Sequence, residues 1–157
     1  MTLILPQNLQ AQMTQHAEKE YPSECCGLAL ASRKDPDKIT EIFSCRNVQD
    51  EFHLKDSATY PRTSRTAYLI DPRDLLTIHK KTRQEDLLIR LIYHSHIDAP
   101  VEFSEEDHRQ ALWEGEPIYP GAAYFIASVQ KKKVVSSMIY SWDPLSKRFY
   151  PSNVLAQ

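Results

Sequence analysis

Apolar residues recur along the chain in two periods. From Gln7 to about Tyr21, Leu9, Met13 and Ala17 return every fourth residue among polar neighbours, which predicts a surface helix ending before Pro22. The runs "CCGLALA" and "KITEIFSC" predict two strands separated by the charged turn "SRKDPDK". Residues 46 to 65 follow neither period and predict a long irregular connection, of the kind that often carries function. "TAYLI" is strand-like. "DPRDLLTIHKK" is a well-signalled helix, with Asp71 as N-cap, Pro72 at the first helical position and lysines at its end. "LLIRLIYHSH" is a largely apolar strand, as in a buried sheet, and "EEDHRQALWEG" predicts a second capped helix stopping at Gly115. "AAYFIASVQ", "KVVSSMIYSW" and "KRFYPSN" predict consecutive antiparallel strands. The sum is an α/β fold, a mixed central β-sheet flanked by helices, in one domain over residues 1–157.

Composition narrows the function classes. A chain of 157 residues can bury a core without disulfides or metals to hold it together. With 19 basic and 21 acidic residues the net charge is -2, which offers no basic face to phosphates and argues against nucleic acid as a partner. The like-charge run Lys131 to Lys133 reads as a solvated hairpin turn between two strands. "MTLILPQNLQ" has no basic start and soon reaches a proline, and no apolar run is long enough to span a bilayer. A cytoplasmic protein without a membrane partner is the expectation, and homo-oligomerisation stays open. Three cysteines, two of them adjacent in "ECCG", match neither a secreted disulfide framework nor a four-cysteine zinc pattern, so Cys25 and Cys26 are expected to pack as small buried residues.

The chemistry concentrates in "YHSHIDAPVEFSEED". On a strand, His94 and His96 lie on one face and Ser95 on the other, so the two imidazoles can converge on one ion. Zinc accepts imidazole nitrogen and carboxylate oxygen, and a catalytic zinc takes three protein ligands plus an open position; Asp107, in the first turn of the next helix, supplies the third. Each half also has an ordinary explanation. Six histidines give an HxH by chance about once in four or five such chains, and Ser104 with Asp107 resembles a capping box. Their joint spacing is expected by chance only on the order of one time in a thousand.

That spacing, His94-x-His96-x7-Ser104-x2-Asp107, resembles the signature of the JAMM (JAB1/MPN/Mov34, or MPN+) metallopeptidases, and the compact chain is similar to the stand-alone prokaryotic members. "YPSECCGLAL" looks like the family's upstream segment, with Glu24 in the place of its glutamate, and "YLIDPRDLL" like the segment ahead of the helix before the metal strand. The family commonly has a proline directly after the second histidine, whereas here it is delayed to Pro100. The resemblance implies an MPN/JAB fold, similar in layout to cytidine deaminases. It implies one zinc held by His94, His96 and Asp107, Glu24 as general acid and base, and Ser104 as donor to the oxyanion. The implied substrate is the C-terminal Gly-Gly tail of a ubiquitin-like or sulfur-carrier protein, cut at a peptide or isopeptide bond, with residues 46 to 65 shaping the groove. If Asp107 binds metal, its carboxylate is not expected to cap the helix as well.

Two other classes compete. A non-catalytic scaffold of the same fold is expected where ligands are missing, and none is missing here. A zinc nucleobase deaminase needs H-x-E together with a later P-C-x-x-C, a pair this chain lacks. His16, His53, His79 and His108 have no place in the pattern, and His108 is expected at the surface.

Overall fold

A computed structural model describes residues 2–152 and 154–156. Among these residues, ten strands and four helices follow one another as β1 (Leu3–Leu5), α1 (Gln7–Glu20), β2 (Cys26–Ser32), β3 (Asp35–Cys45), α2 (Gln49–Lys55), α3 (Pro72–Gln84), β4 (Leu87–Ile97), α4 (Glu105–Ala111), β5 (Leu112–Trp113), β6 (Glu116–Pro117), β7 (Ala123–Gln130), β8 (Lys133–Asp143), β9 (Arg148–Ser152) and β10 (Val154–Ala156). Eight strands form one mixed sheet in the order β10-β1-β3-β2-β4-β7-β8-β9, and β5 and β6 pair separately. No helix among the described residues is long and apolar enough to cross a membrane.

The alternation of β4 organises both layers. Leu91, Tyr93 and Ile97 face the core that α1 closes with Leu9, Met13 and Ala17. Ile92 faces the opposite core, with Leu28, Ile78, Tyr124 and Phe149. His94 and His96 share the face of Ile92, so the strand period alone directs both imidazoles to the same side. β4 is antiparallel to β2 and parallel to β7, with both edges paired, so its backbone is held on both sides.

Several elements depart from the periodicity. "TAYLI" forms no strand: only Ile70 makes an isolated bridge, to Asn47. Residues 46–65 contain α2, whose acidic first turn and basic last turn suit the helix dipole although its N-cap residue, Val48, makes no capping hydrogen bond. The predicted turn before "KITEIFSC" is shorter than expected, because β3 already begins at Asp35. The last predicted helix ends at Ala111, four residues before Gly115. There Glu114 and Gly115 both have positive φ, 50° and 79°, the geometry of a tight hairpin turn, and the chain folds back as β5–β6 instead of continuing the helix. Lys131 and Lys132 make the same kind of turn, with φ of 50° and 64°, between β7 and β8. All three cysteines are free and buried.

Gly27 sets the spacing between β2 and β4. A Cβ there would overlap the Tyr93 ring and the carbonyl oxygen of Phe43. The ring cannot swing aside freely, since its hydroxyl lies 2.8 Å from His16 Nδ1 and donates to Ser44 Oγ. Gly27→Ala is therefore expected to lose about 1–3 kcal/mol through overpacking, measured as a lower urea midpoint; an unchanged midpoint would show that the ring yields.

Candidate metal centre

Three side chains from two elements meet at one point. His94 Nε2 lies 3.0 Å from Asp107 Oδ1, His96 Nε2 lies 3.1 Å from Asp107 Oδ2, and the two Nε2 atoms are 3.2 Å apart. All three residues are buried, and one ligand atom from each could reach a single ion. β4 delivers the histidines, and the first turn of α4 delivers the aspartate.

The proton inventory of this cluster fits a cation. His96 Nδ1 is 2.7 Å from the carbonyl oxygen of Pro100, an acceptor, so a neutral ring carries its proton there and turns the Nε2 lone pair inward. A carboxylate is also acceptor-only. Two imidazole Nε2 atoms and a carboxylate thus converge in a buried space, the donor set that a divalent ion accepts. The titration of the same groups points the same way. Burial works against a charged His96, yet the hydrogen bond and charge of Asp107 and the Pro100 carbonyl outweigh it and raise its pKa. Burial likewise opposes ionisation of Asp107, and the two imidazoles overcome it, holding the carboxylate well below its usual range.

The delayed proline finds its use here, since Pro100 is the residue whose carbonyl orients His96. Ser104 is the N-cap of α4: its Oγ accepts from Asp107 N–H at 3.0 Å, while Ser104 N–H donates to Asp107 Oδ2 at 2.9 Å. Capping and ligand geometry therefore coexist, contrary to the expectation that they exclude one another. A carboxylate has about four lone-pair positions, enough for both. Because Ser104 Oγ is used only as acceptor, its O–H remains able to donate.

Glu24 precedes β2. Cys26 pairs with His94, Ser95 N–H donates to Cys25 O at 3.3 Å, and Cys25 N–H donates to Ser95 Oγ at 2.8 Å, so the same register carried further sets Glu24 across from His96. Its backbone is fixed, with its N–H donating to Ser64 O at 2.7 Å and its carbonyl accepting from Asn47 Nδ2 at 2.9 Å. Its side chain is buried and makes no hydrogen bond among the described residues. Burial first, and then the charge of Asp107, push its pKa up to about 9.

Other predicted residues fall outside the centre. His108 is half-buried, edge-on to Phe103 at 4.7 Å, rather than at the surface. His16 opens an H-x-E on α1, but it is engaged with Tyr93 on the opposite face of the sheet. Periodicity gave no sign of Tyr68, which stacks on His94 with ring centroids 4.5 Å apart, or of Asn47.

The profile of prokaryotic homologs of the JAB domain matches residues 6–142. No curated protein matches the chain. Among solved structures, a protein from Desulfitobacterium hafniense is 22% identical over 99% of this chain and 93% of that one, with a TM-score of 0.73. A JAB1/MPN domain protein from Archaeoglobus fulgidus is 14% identical over 98% of both chains, with a TM-score of 0.53. A structure described as a metalloprotease-like zinc site in the proteasome and signalosome is 14% identical over 99% of both chains, with a TM-score of 0.52. These likenesses show the fold.

Two predictions follow from the electrostatics. The folded pKa of Glu24, about 9, stands above its ordinary 4.5, so the folded state holds this proton more tightly than the unfolded one. Its contribution is full below about 4.5 and is lost as pH rises towards 9. Metal-free wild type should lose a few kcal/mol more than Glu24→Gln between pH 5 and 9 in denaturant titrations, since each pKa unit is worth about 1.4 kcal/mol; parallel curves would contradict the burial. Asp107→Ala should cost both metal affinity, read by chelator competition, and about 1 kcal/mol of stability in the metal-free protein through the lost cap.

Proposed function

The chain belongs to the family of prokaryotic homologs of the JAB domain, and from that membership we propose that it is a zinc-dependent metallopeptidase, one domain over residues 1–157. Its substrate in this reading is the C-terminal Gly-Gly tail of a ubiquitin-like or sulfur-carrier protein, cut at a peptide or isopeptide bond. The observation that carries the proposal is the buried convergence of His94, His96 and Asp107 at 3.0 to 3.2 Å, with Glu24 across from His96.

A zinc ion bound by these three residues would supply Lewis-acid chemistry, acidifying a water molecule and polarising the scissile carbonyl. The remaining steps belong to the chain's own groups. Once ionised, Glu24 takes the proton of the attacking water, which its raised pKa favours, and then passes that proton to the leaving amine. Ser104, with its O–H uncommitted, donates to the carbonyl oxygen as negative charge builds there. The buried setting strengthens both interactions by excluding solvent.

A groove of about 510 Å³ runs between residues 59–62 and α4, lined among others by Gln49, Tyr60, Arg62, Glu106, Arg109 and Trp113. Its outer wall comes from the 46–65 connection, which supports the tail-binding role expected of that segment. β4 is paired on both sides and offers no edge to a peptide. The short β5–β6 hairpin, whose Trp113 lines the groove, is the sheet available for backbone pairing with an extended tail. Three free, buried cysteines suit a reducing cytoplasm.

The test is mass spectrometry of carrier proteins bearing a short extension after Gly-Gly. Wild type should trim them at the glycine, with activity lost to chelators. Glu24→Gln should keep the metal and lose about 10²–10⁴ in turnover. A metal-free protein inert to every carrier would return the scaffold reading.

A further inference from the structure

Asn47, between β3 and α2, uses its whole side-chain amide. Nδ2 donates to Glu24 O at 2.9 Å and to Ala67 O at 3.2 Å, and Oδ1 accepts from Gln49 N–H and Leu69 N–H, both at 3.0 Å. Two donors meet carbonyls and one acceptor meets two N–H groups, so every capacity of the amide is filled in one orientation.

Two of those bonds flank Tyr68, and Tyr68 is the side chain that stacks on His94. The stack matters because the two histidines are held differently. His96 has its ring plane set by a hydrogen bond from Nδ1 to Pro100 O, whereas His94 Nδ1 is buried with no hydrogen-bond partner among the described residues. Metal-binding histidines are normally oriented through the ring nitrogen that does not bind the metal. For His94 that support is missing, and ring contact with Tyr68 takes its place. Residues 66–70 lie outside the main sheet, so the backbone around Tyr68 is held by the two Asn47 bonds and by the bridge between Asn47 and Ile70, whose bonds run from Val48 N–H to Leu69 O at 2.8 Å and from Asp71 N–H to Arg46 O at 2.9 Å.

We propose that Asn47 is a positioning residue that ties Glu24 and His94 to one anchor, holding Glu24 through its carbonyl and His94 through Tyr68. The proposal rests on the reading of His94, His96 and Asp107 as a metal centre. It gives the 46–65 connection a second role: its first residues align the reacting groups, while its later residues wall the groove.

Asn47→Asp is the informative change. It keeps an acceptor for Gln49 and Leu69 and turns the two donors into an oxygen facing the carbonyls of Glu24 and Ala67. The readout is the visible absorption of the cobalt(II)-loaded protein, with cobalt affinity measured by chelator competition. Asn47→Asp is expected to shift the bands and weaken affinity about tenfold or more. Ile139→Val, a core change on the opposite face, controls for loss of stability and should keep the wild-type spectrum. If Asn47→Asp does not fold, Tyr68→Leu removes the stack alone and should show the same spectral shift. Wild-type bands and affinity in the folded Asn47→Asp, or in Tyr68→Leu, would overturn the proposal while leaving the metal centre standing. A wild-type protein that binds no stoichiometric cobalt would overturn both.

Discussion

Two imidazoles and a carboxylate turned towards one another inside a folded chain are costly unless something positive sits among them. Burying acceptors without a donor forfeits their hydration, and a buried carboxylate is tolerable only when paired. In the absence of an ion, protonation of His96 helps to meet this demand, since Asp107 and the Pro100 carbonyl raise its pKa against the effect of burial. The rest of the architecture is arranged to keep these groups in place. β4 is central and paired on both edges, α4 starts with a reciprocal cap, and the Pro100 carbonyl fixes one ring.

The packing that holds β4 is correspondingly tight. Tyr93 and His94 are neighbours on opposite faces, so what positions one positions the other. The Tyr93 ring rests over Gly27, where no side chain could stand, and reaches His16 through its hydroxyl. On the metal face the same strand carries Ile92 into a core shared with α3 and β7. Arg90 anchors the approach to these residues: it donates to the carbonyls of Gly121 and Pro36 and pairs with Asp37. A histidine pair on such a strand has little freedom to leave its geometry and is therefore preorganised.

What could be read in the sequence was what depends on short, regular spacing. Period-two alternation placed His94 and His96 on one face, the fourfold recurrence of Leu9, Met13 and Ala17 gave α1, and Asp71 with Pro72 marked the start of α3. Spacing to Ser104 and Asp107 pointed to the aspartate that the structure brings beside the two histidines. Features set by distant contacts were not legible. "TAYLI" has the composition of a strand, but Asn47 and Val48 draw it towards the start of α2, where Tyr68 meets His94. The helix predicted to reach Gly115 lost its last turn to a hairpin, because Gly115 readily takes positive φ and the β5–β6 pairing holds Glu114 there as well. That Asp107 both caps α4 and faces the two histidines was not legible, because it depends on where each of its oxygens lies.

The central claim is that these three side chains form one metal site, and X-ray absorption at the metal edge of the purified zinc-loaded protein tests it most directly. The account predicts one zinc per chain in a shell of nitrogen and oxygen at about 2.0–2.2 Å, with the outer-sphere signature of two imidazoles. Sulfur scattering at about 2.3 Å would place the metal on the cysteines instead and contradict it.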